Sequence, residues 1–133
     1  MKPIVIVSLL ALIVLATGCK TLGRAECNGA NTHNWKAWNN VMPIGDKTVH
    51  ITGKVTVPSG GWKALLSERI PQGINSEILL LDLSVTPPSG PTTSPVLDLE
   101  VHYSKKYMTR KYIRAQVFCS EKLIADLPIK DIQ

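Results

Sequence analysis

Apolar and polar residues alternate along several segments of this chain. In the clearest segment, Val49, Ile51, Val55 and Val57 fall on one side. His50, Thr52, Lys54 and Thr56 fall on the other. A period of two is typical of a β-strand with one buried face. Strands are predicted at 48–57, 62–69, 78–86, 96–103, 111–119 and 123–129, although 62–69 also fits a short helix.

Turn-forming residues separate the predicted strands. The first strand ends at Pro58-Ser59-Gly60-Gly61, and the segment 86–95 contains four prolines. Because neither a helix nor a central strand tolerates that density of proline, 86–95 is predicted to be a loop. About six to seven short strands with turns between them predict an all-β fold, an antiparallel β-sandwich that is immunoglobulin-like in architecture.

Two local features modify this outline. Gly53 interrupts the first predicted strand and is expected to mark a β-bulge. Before that strand, Thr32 is expected to cap a short helical turn that brings Trp35 and Trp38 to one side. Together with Trp62, these tryptophans form a candidate aromatic platform for a sugar ring, or they pack against the open end of the sandwich.

The first nineteen residues are organised differently. Lys2 precedes an apolar run, Ile4 to Ala16, and the segment ends Leu15-Ala16-Thr17-Gly18-Cys19. The run is shorter than the roughly 20 residues that span a bilayer, but it has the length of the hydrophobic part of a signal peptide. The segment resembles a bacterial lipoprotein signal peptide with its lipobox, and Gly18 also suits ordinary secretory cleavage.

The resemblance implies that residues 1–18 are removed and that Cys19 is lipidated. Several acyl chains, palmitate among them, give stable anchoring to a membrane. Residues 19–29 then form the lipidated N-terminus and a short tether, and 30–133 form a single β-sandwich domain. In a Gram-negative host, Lys20 favours the outer membrane, with the domain facing the periplasm. Only seven residues separate Cys19 from Cys27, so the tether reaches at most about 27 Å.

Two cysteines remain once Cys19 is assigned to the lipid. In an oxidising compartment, Cys27 and Cys119 are expected to form a disulfide. The alternative is a pair of separate thiols, with Cys119 buried in the core.

The chain carries a formal net charge of +5, which favours anionic partners. No acidic residue occurs between Val101 and Ser120, a segment in which tyrosines are interleaved with basic residues. The basic residues are Lys105, Lys106, Arg110, Lys111 and Arg114. They are candidate contacts for an anionic lipid or polymer, or they form an exposed hairpin tip. Nucleic acid is not an expected partner outside the cytoplasm.

Asp98, Glu100 and His102 lie at period two and therefore project from the same face of one strand. Such a set can ligate a divalent cation or act as an acid–base group. Neighbouring side chains on one face are about 7 Å apart, which opposes convergence on one metal, and a solvated outer face is the other interpretation. Motifs for nucleophilic, zinc-dependent or phosphate-binding chemistry are absent from the sequence, so neither catalysis nor a cofactor is expected.

Together these features predict a membrane-anchored, non-catalytic binding or adaptor lipoprotein of the bacterial cell envelope. Its expected partner is an envelope protein or an anionic envelope polymer, and the loop at 86–95 is one candidate contact region. The alternative prediction is a small metal-dependent or hydrolytic envelope enzyme that uses Asp98, Glu100 and His102.

Overall fold

The computed structural model describes Cys27 and residues 30–92, 95–109 and 111–133. The predicted signal peptide, Cys19, most of the tether and Arg110 lie outside the described residues. The described part of the chain forms eight strands and no helix. The strands are β1 (Asn31–Asn40), β2 (Thr48–Val57), β3 (Lys63–Glu68), β4 (Ile78–Thr86), β5 (Leu97–Lys106), β6 (Arg114–Cys119), β7 (Lys122–Pro128) and β8 (Lys130–Ile132).

The strands form two four-stranded sheets. The first sheet has the order β5-β2-β1-β8, and the second has the order β3-β4-β6-β7. The all-β sandwich is therefore confirmed, with one strand more than the upper expectation. The pairing is mixed, because β1 runs parallel to β8 and β4 runs parallel to β6, while the other neighbours are antiparallel. The finer, immunoglobulin-like description stays a prediction.

The core lies between β2 and β4. Each of these strands contributes four side chains that are at most 1% exposed. They are Val49, Ile51, Val55 and Val57 from β2, and Leu79, Leu81, Leu83 and Val85 from β4. Burial of one such side chain stabilises the fold by about 1.5–3 kcal/mol, so these two faces are the main source of its stability. The alternation predicted at 48–57 and 78–86 is confirmed.

The predicted helical turn after Thr32 is wrong, because these residues pair with β2 as strand β1. A bulge interrupts the pairing between His33 and Lys36, and Asn34 has a φ of 55°. The extra residue turns Trp35 into the core, whereas Trp38 stacks on a ring of the outer face. The two indoles therefore lie on opposite faces of the sheet.

The bulge lies in β1 opposite Gly53, not in β2 as the sequence predicted. Trp35 covers Gly53, and a Cβ atom placed on this glycine would lie 2.6 Å from Cδ2 of the indole. The indole Nε1 donates to Thr32 Oγ1 at 3.1 Å, which holds the ring over the glycine. Gly53 thus makes room for an aromatic side chain from the neighbouring strand.

Cys27 and Cys119, the pair predicted from the cysteine count, form a disulfide with a Cα–Cα distance of 5.4 Å. Cys27 is fully buried. The bond joins the segment before β1 in the first sheet to the end of β6 in the second. Its two cysteines are 92 positions apart in the sequence, and a loop of this length gives a stabilisation of roughly 4–5 kcal/mol in the chain-entropy account.

The loops lie at two opposite ends of the sandwich. The proximal end contains Cys27, where the described chain begins, together with the loops 58–62 and 87–96. The β6–β7 turn, 120–121, lies short of this end, because β6 ends beside the middle of β4. The distal end contains the loops 41–47, 69–77 and 107–113, together with β8. Backbone hydrogen bonds of 2.9–3.1 Å join the distal segments: Tyr107 N to Lys47 O, Val41 N to Ile132 O, Ile113 N to Glu77 O and Ile129 N to Ile113 O.

The close fit between Trp35 and Gly53 can be tested by adding one methyl group. Gly53→Ala is expected to lower the free energy of unfolding by about 1–3 kcal/mol, because the indole must leave its place over β2. Gly90→Ala is the matched control, since no atom lies within 4 Å of a Cβ at that position. Urea unfolding of both variants measures the difference, and equal stability would contradict the packing described.

Candidate functional site

Asp98, Glu100 and His102 share the outer face of the first sheet, as the alternation predicted. They do not converge on a common point. Thr56 Oγ1 donates to Asp98 Oδ1 at 2.7 Å, and His33 Nε2 lies 3.2 Å from Asp98 Oδ2. His102 instead contacts His50, with 3.0 Å between its Nε2 and Nδ1 of His50. Within the described residues, no three His, Cys, Asp or Glu side chains are placed to hold a metal ion.

Three rings stand in a row across the same face. The ring centroids of Trp38 and His50 are 5.2 Å apart, and those of His50 and His102 are 5.3 Å apart, with interplanar angles of 16° and 7°. Partial burial lowers the pKa of His50, and the neighbouring His102 lowers it further. At neutral pH His50 is therefore uncharged, and its ring is stacked between those of Trp38 and His102.

The three tryptophans do not form a common platform for a sugar. Trp35 is partly buried against the core, and Trp38 lies on the outer face of the first sheet. Trp62 lies at the proximal end, where its Nε1 donates to Ser59 Oγ at 3.2 Å. These separate positions overturn the joint arrangement that the sequence suggested, and only Trp35 and Trp38 remain near each other at one edge.

The predicted basic hairpin tip is wrong, because β5 and β6 belong to different sheets and the segment between them crosses from one to the other. Each described basic side chain of the run also has a carboxylate partner. The pairs are Lys105–Glu68, Lys106–Asp46, Lys111–Asp131 and Arg114–Asp126. The hydrogen bonds in the first three pairs raise the pKa values of the lysines. Much of the positive charge of this run is therefore offset within the chain.

Lys105 has the most enclosed of these pairings. Glu68 at the edge of β3 accepts hydrogen bonds from Lys105 Nζ and from Tyr103 OH, both at 3.0 Å. Burial and the same carboxylate raise the pKa of Tyr103, so its hydroxyl stays protonated and donates. This cluster closes the side of the sandwich where β3 meets β5, which is a structural role.

A second enclosed charge lies on the outer face of the second sheet. Arg69 is 8% exposed and lies over the Phe118 ring, with its Cζ 4.2 Å from the centroid. Its guanidinium donates to Asp82 and Glu121 at 3.2 and 3.3 Å and to the Ser120 carbonyl at 3.3 Å. These bonds satisfy the buried charge, so Arg69 ties the β3–β4 loop to the β6–β7 turn.

Exposed apolar side chains are concentrated at the distal end. Of ten large apolar side chains that are exposed in the described residues, seven lie there. They are Met42, Ile44, Ile70, Ile74, Met108, Ile113 and Ile132. Ile44 and Met108 are more than 90% exposed. Grouped exposed apolar residues mark interaction surfaces, and this group is a candidate binding surface.

The alternation of apolar and polar residues does not reveal this surface, because its members are isolated along the chain. Each loop contributes one or two apolar residues among polar ones, and single exposed apolar residues are ordinary. Only the strand order brings the loops 41–47, 69–77 and 107–113 to one end. A signal was present nonetheless, since Met42, Ile44, Ile70, Ile74 and Met108 all lie outside the strands predicted from the alternation.

A cleft of about 460 Å³ runs along the free edge of β1, and we call it the edge cleft. It exists because β8 pairs only with Trp38–Asn40, which leaves the earlier part of β1 without a neighbour on that side among the described strands. The lining residues are Trp35, Lys36, Ala37 and Trp38 of β1, Leu127 and Pro128 of β7, and Lys130, Asp131 and Ile132 of β8.

The stacked histidines predict a pH dependence of stability. Because the folded state lowers the pKa of His50, the native protein binds fewer protons than the unfolded chain, whose histidines titrate near pH 6.5. This group therefore costs no stability above about pH 7 and destabilises the fold as the pH falls through 6.5. His50→Gln is expected to reduce the decrease in unfolding free energy between pH 7.5 and pH 5.5, measured by urea titration at both values. An unchanged decrease would show that His50 does not cause it.

Comparison with known proteins adds no family. No protein family, no curated protein and no solved structure matches this chain. Among the described residues, no helix has the length and apolar character needed to cross a membrane.

Proposed function

We propose that this protein is a membrane-anchored, non-catalytic binding lipoprotein of the cell envelope, which holds a partner protein at its distal end. The observation that carries the proposal is the position of the exposed apolar side chains, seven of ten at one end of the sandwich. The chain enters the described structure at the other end, through Cys27 and its disulfide to Cys119.

The tether supports this orientation. A lipid on Cys19 is at most about 27 Å of extended chain from Cys27. Strands β1 and β2 have ten residues each, and such strands are about 33 Å long. The distal end is therefore the part of the domain farthest from the anchor. Its apolar side chains face away from the proposed membrane attachment and toward other envelope components.

The chemistry of the distal end fits a protein partner. Ile44 and Met108 project from loops that backbone hydrogen bonds hold together, so they form a surface with little freedom to collapse. Methionine adapts its shape to an apolar partner surface. The ion pairs Lys106–Asp46 and Lys111–Asp131 lie beside them. An apolar centre with a polar rim is the usual anatomy of a protein–protein interface.

The enzyme alternative receives no support from a specific contact. Of its residues, Asp98 contacts Thr56 and His33, whereas His102 contacts His50. Glu100 forms no hydrogen bond with Asp98 or His102. We therefore propose the binding function alone.

The anchor can be tested by changing Cys19. Wild-type protein expressed in a bacterial host is expected to incorporate labelled palmitate and to sediment with membranes. Cys19→Ser is expected to lose both properties, because the thioether cannot form. Cys27→Ser is the control and should keep the label. Labelled Cys19→Ser protein in the membrane fraction would overturn the proposed anchoring.

The distal surface can be tested by photo-crosslinking in cells. A photoreactive residue at position 44 is expected to give one dominant crosslinked protein, and Met108→Ser is expected to remove that product, because both side chains contact the same partner. The matched control is Leu65→Ser, since Leu65 is 64% exposed on β3, away from the distal end. Both serine variants should change the unfolding free energy by less than about 0.5 kcal/mol. A product at position 44 that survives Met108→Ser would contradict the proposed surface.

A further inference from the structure

We propose that the edge cleft binds a small anionic amphiphile, an apolar chain that ends in a carboxylate or phosphate group. The proposed ligand site lies on the side of the sandwich, beside β1. It shares only Ile132 with the apolar group of the distal end, so ligand binding is tested independently of that group. Three features support it: the apolar lining, the uncompensated charge at the rim, and the shape of the β1 edge.

The lining suits an apolar chain. Ala37, Leu127 and Pro128 contribute only aliphatic surface, and Ile132 is about half exposed. The single polar atom of the Trp35 indole is already bonded to Thr32, so the ring offers only its apolar surface. A volume of about 460 Å³ lies within the range of about 300–1,000 Å³ that is typical of small-molecule sites.

The rim suits an anionic head group. Lys36 and Lys130 line the edge cleft, are exposed, and have no acidic partner among the described residues. Asp131 is the single carboxylate in the lining, and it is bound by Lys111 and by Asn39 Nδ2. Those two hydrogen bonds lower the pKa of Asp131, so its carboxylate is ionised and already paired within the chain. The lining therefore presents two free cations next to apolar surface.

The edge of β1 disfavours two other occupants of the cleft, an added peptide strand and a second copy of this chain. The bulge at Asn34–Trp35 and the charge of Lys36 interrupt the row of backbone groups that an added peptide strand would need. A second copy of the chain would bring Lys36 and Lys130 against the same residues of its partner, which is unfavourable. A ligand that requires no strand pairing and carries negative charge satisfies both constraints.

The two tryptophans of the cleft provide the readout. The protein used is the full chain with two substitutions. Cys19→Ser removes the candidate lipid, and Trp62→Phe removes the distant fluorophore. Each probe is added to this protein at concentrations below its critical micelle concentration. The probes are dodecanoate, dodecyl phosphate and dodecyltrimethylammonium, each followed by fluorescence of Trp35 and Trp38. Saturable change is expected with the two anions, and binding of the cation should be about tenfold weaker or more. The stronger anion identifies the head group as carboxylate or phosphate.

Matched lysine variants test whether the two lysines at the rim of the edge cleft bind the anionic head group. Lys36→Gln with Lys130→Gln is expected to weaken dodecanoate binding about tenfold or more. Lys63→Gln, at an exposed position on β3 in the other sheet, should leave it unchanged. All of these positions are exposed, so the variants are expected to fold, and urea unfolding checks this. Equal binding of all three probes, no saturable binding of either anion, or no effect of the double variant would overturn the proposal.

Discussion

The contact between the apolar faces of β2 and β4 is the constraint on which the rest of the structure depends. Each strand is central in its sheet, and each contributes four buried aliphatic side chains to the same core. Because side chains alternate along a strand, burial of one set determines the direction of every remaining residue. The outward positions of Thr52, Lys54 and Thr56 follow from this, and so does the outer face on which His50 and His102 meet. Strands β1 and β5 then inherit their orientation from their register with β2.

The sequence predicted those parts of the fold whose pattern is local. Strands β2 and β4 alternate clearly, and the prolines of 86–95 exclude a strand there. Strand β1 was missed because its bulge breaks the alternation. The residues from His33 to Lys36 therefore show neither the two-residue period of a strand nor the period of a helix. Its strand conformation depends on pairing with β2, which is a tertiary effect. Strand β8 has only three residues, all exposed, and it forms because β1 offers a free edge about ninety positions earlier in the chain.

The candidate sites show the same division. That Asp98, Glu100 and His102 share one face follows from spacing alone, whereas their binding to Thr56, His33 and His50 depends on the neighbouring strands. The basic run looked uncompensated because its acidic partners are distant in sequence, 60 residues away for Lys106 and 20 for Lys111. The distal surface and the edge cleft have no sequence motif at all. They arise from the strand order and from the difference in length between β1 and β8.

The position of the disulfide has a mechanical consequence. A pulling force that arrives through the chain before Cys27 divides there into two paths. One continues along the backbone into β1 of the first sheet, and the other passes through the sulfur atoms to Cys119 and β6 of the second. If the opposing force acts at the distal end, it runs along the strands, so the hydrogen bonds of each ladder are loaded together in shear. Both sheets share the load, and neither strand is peeled away one bond at a time.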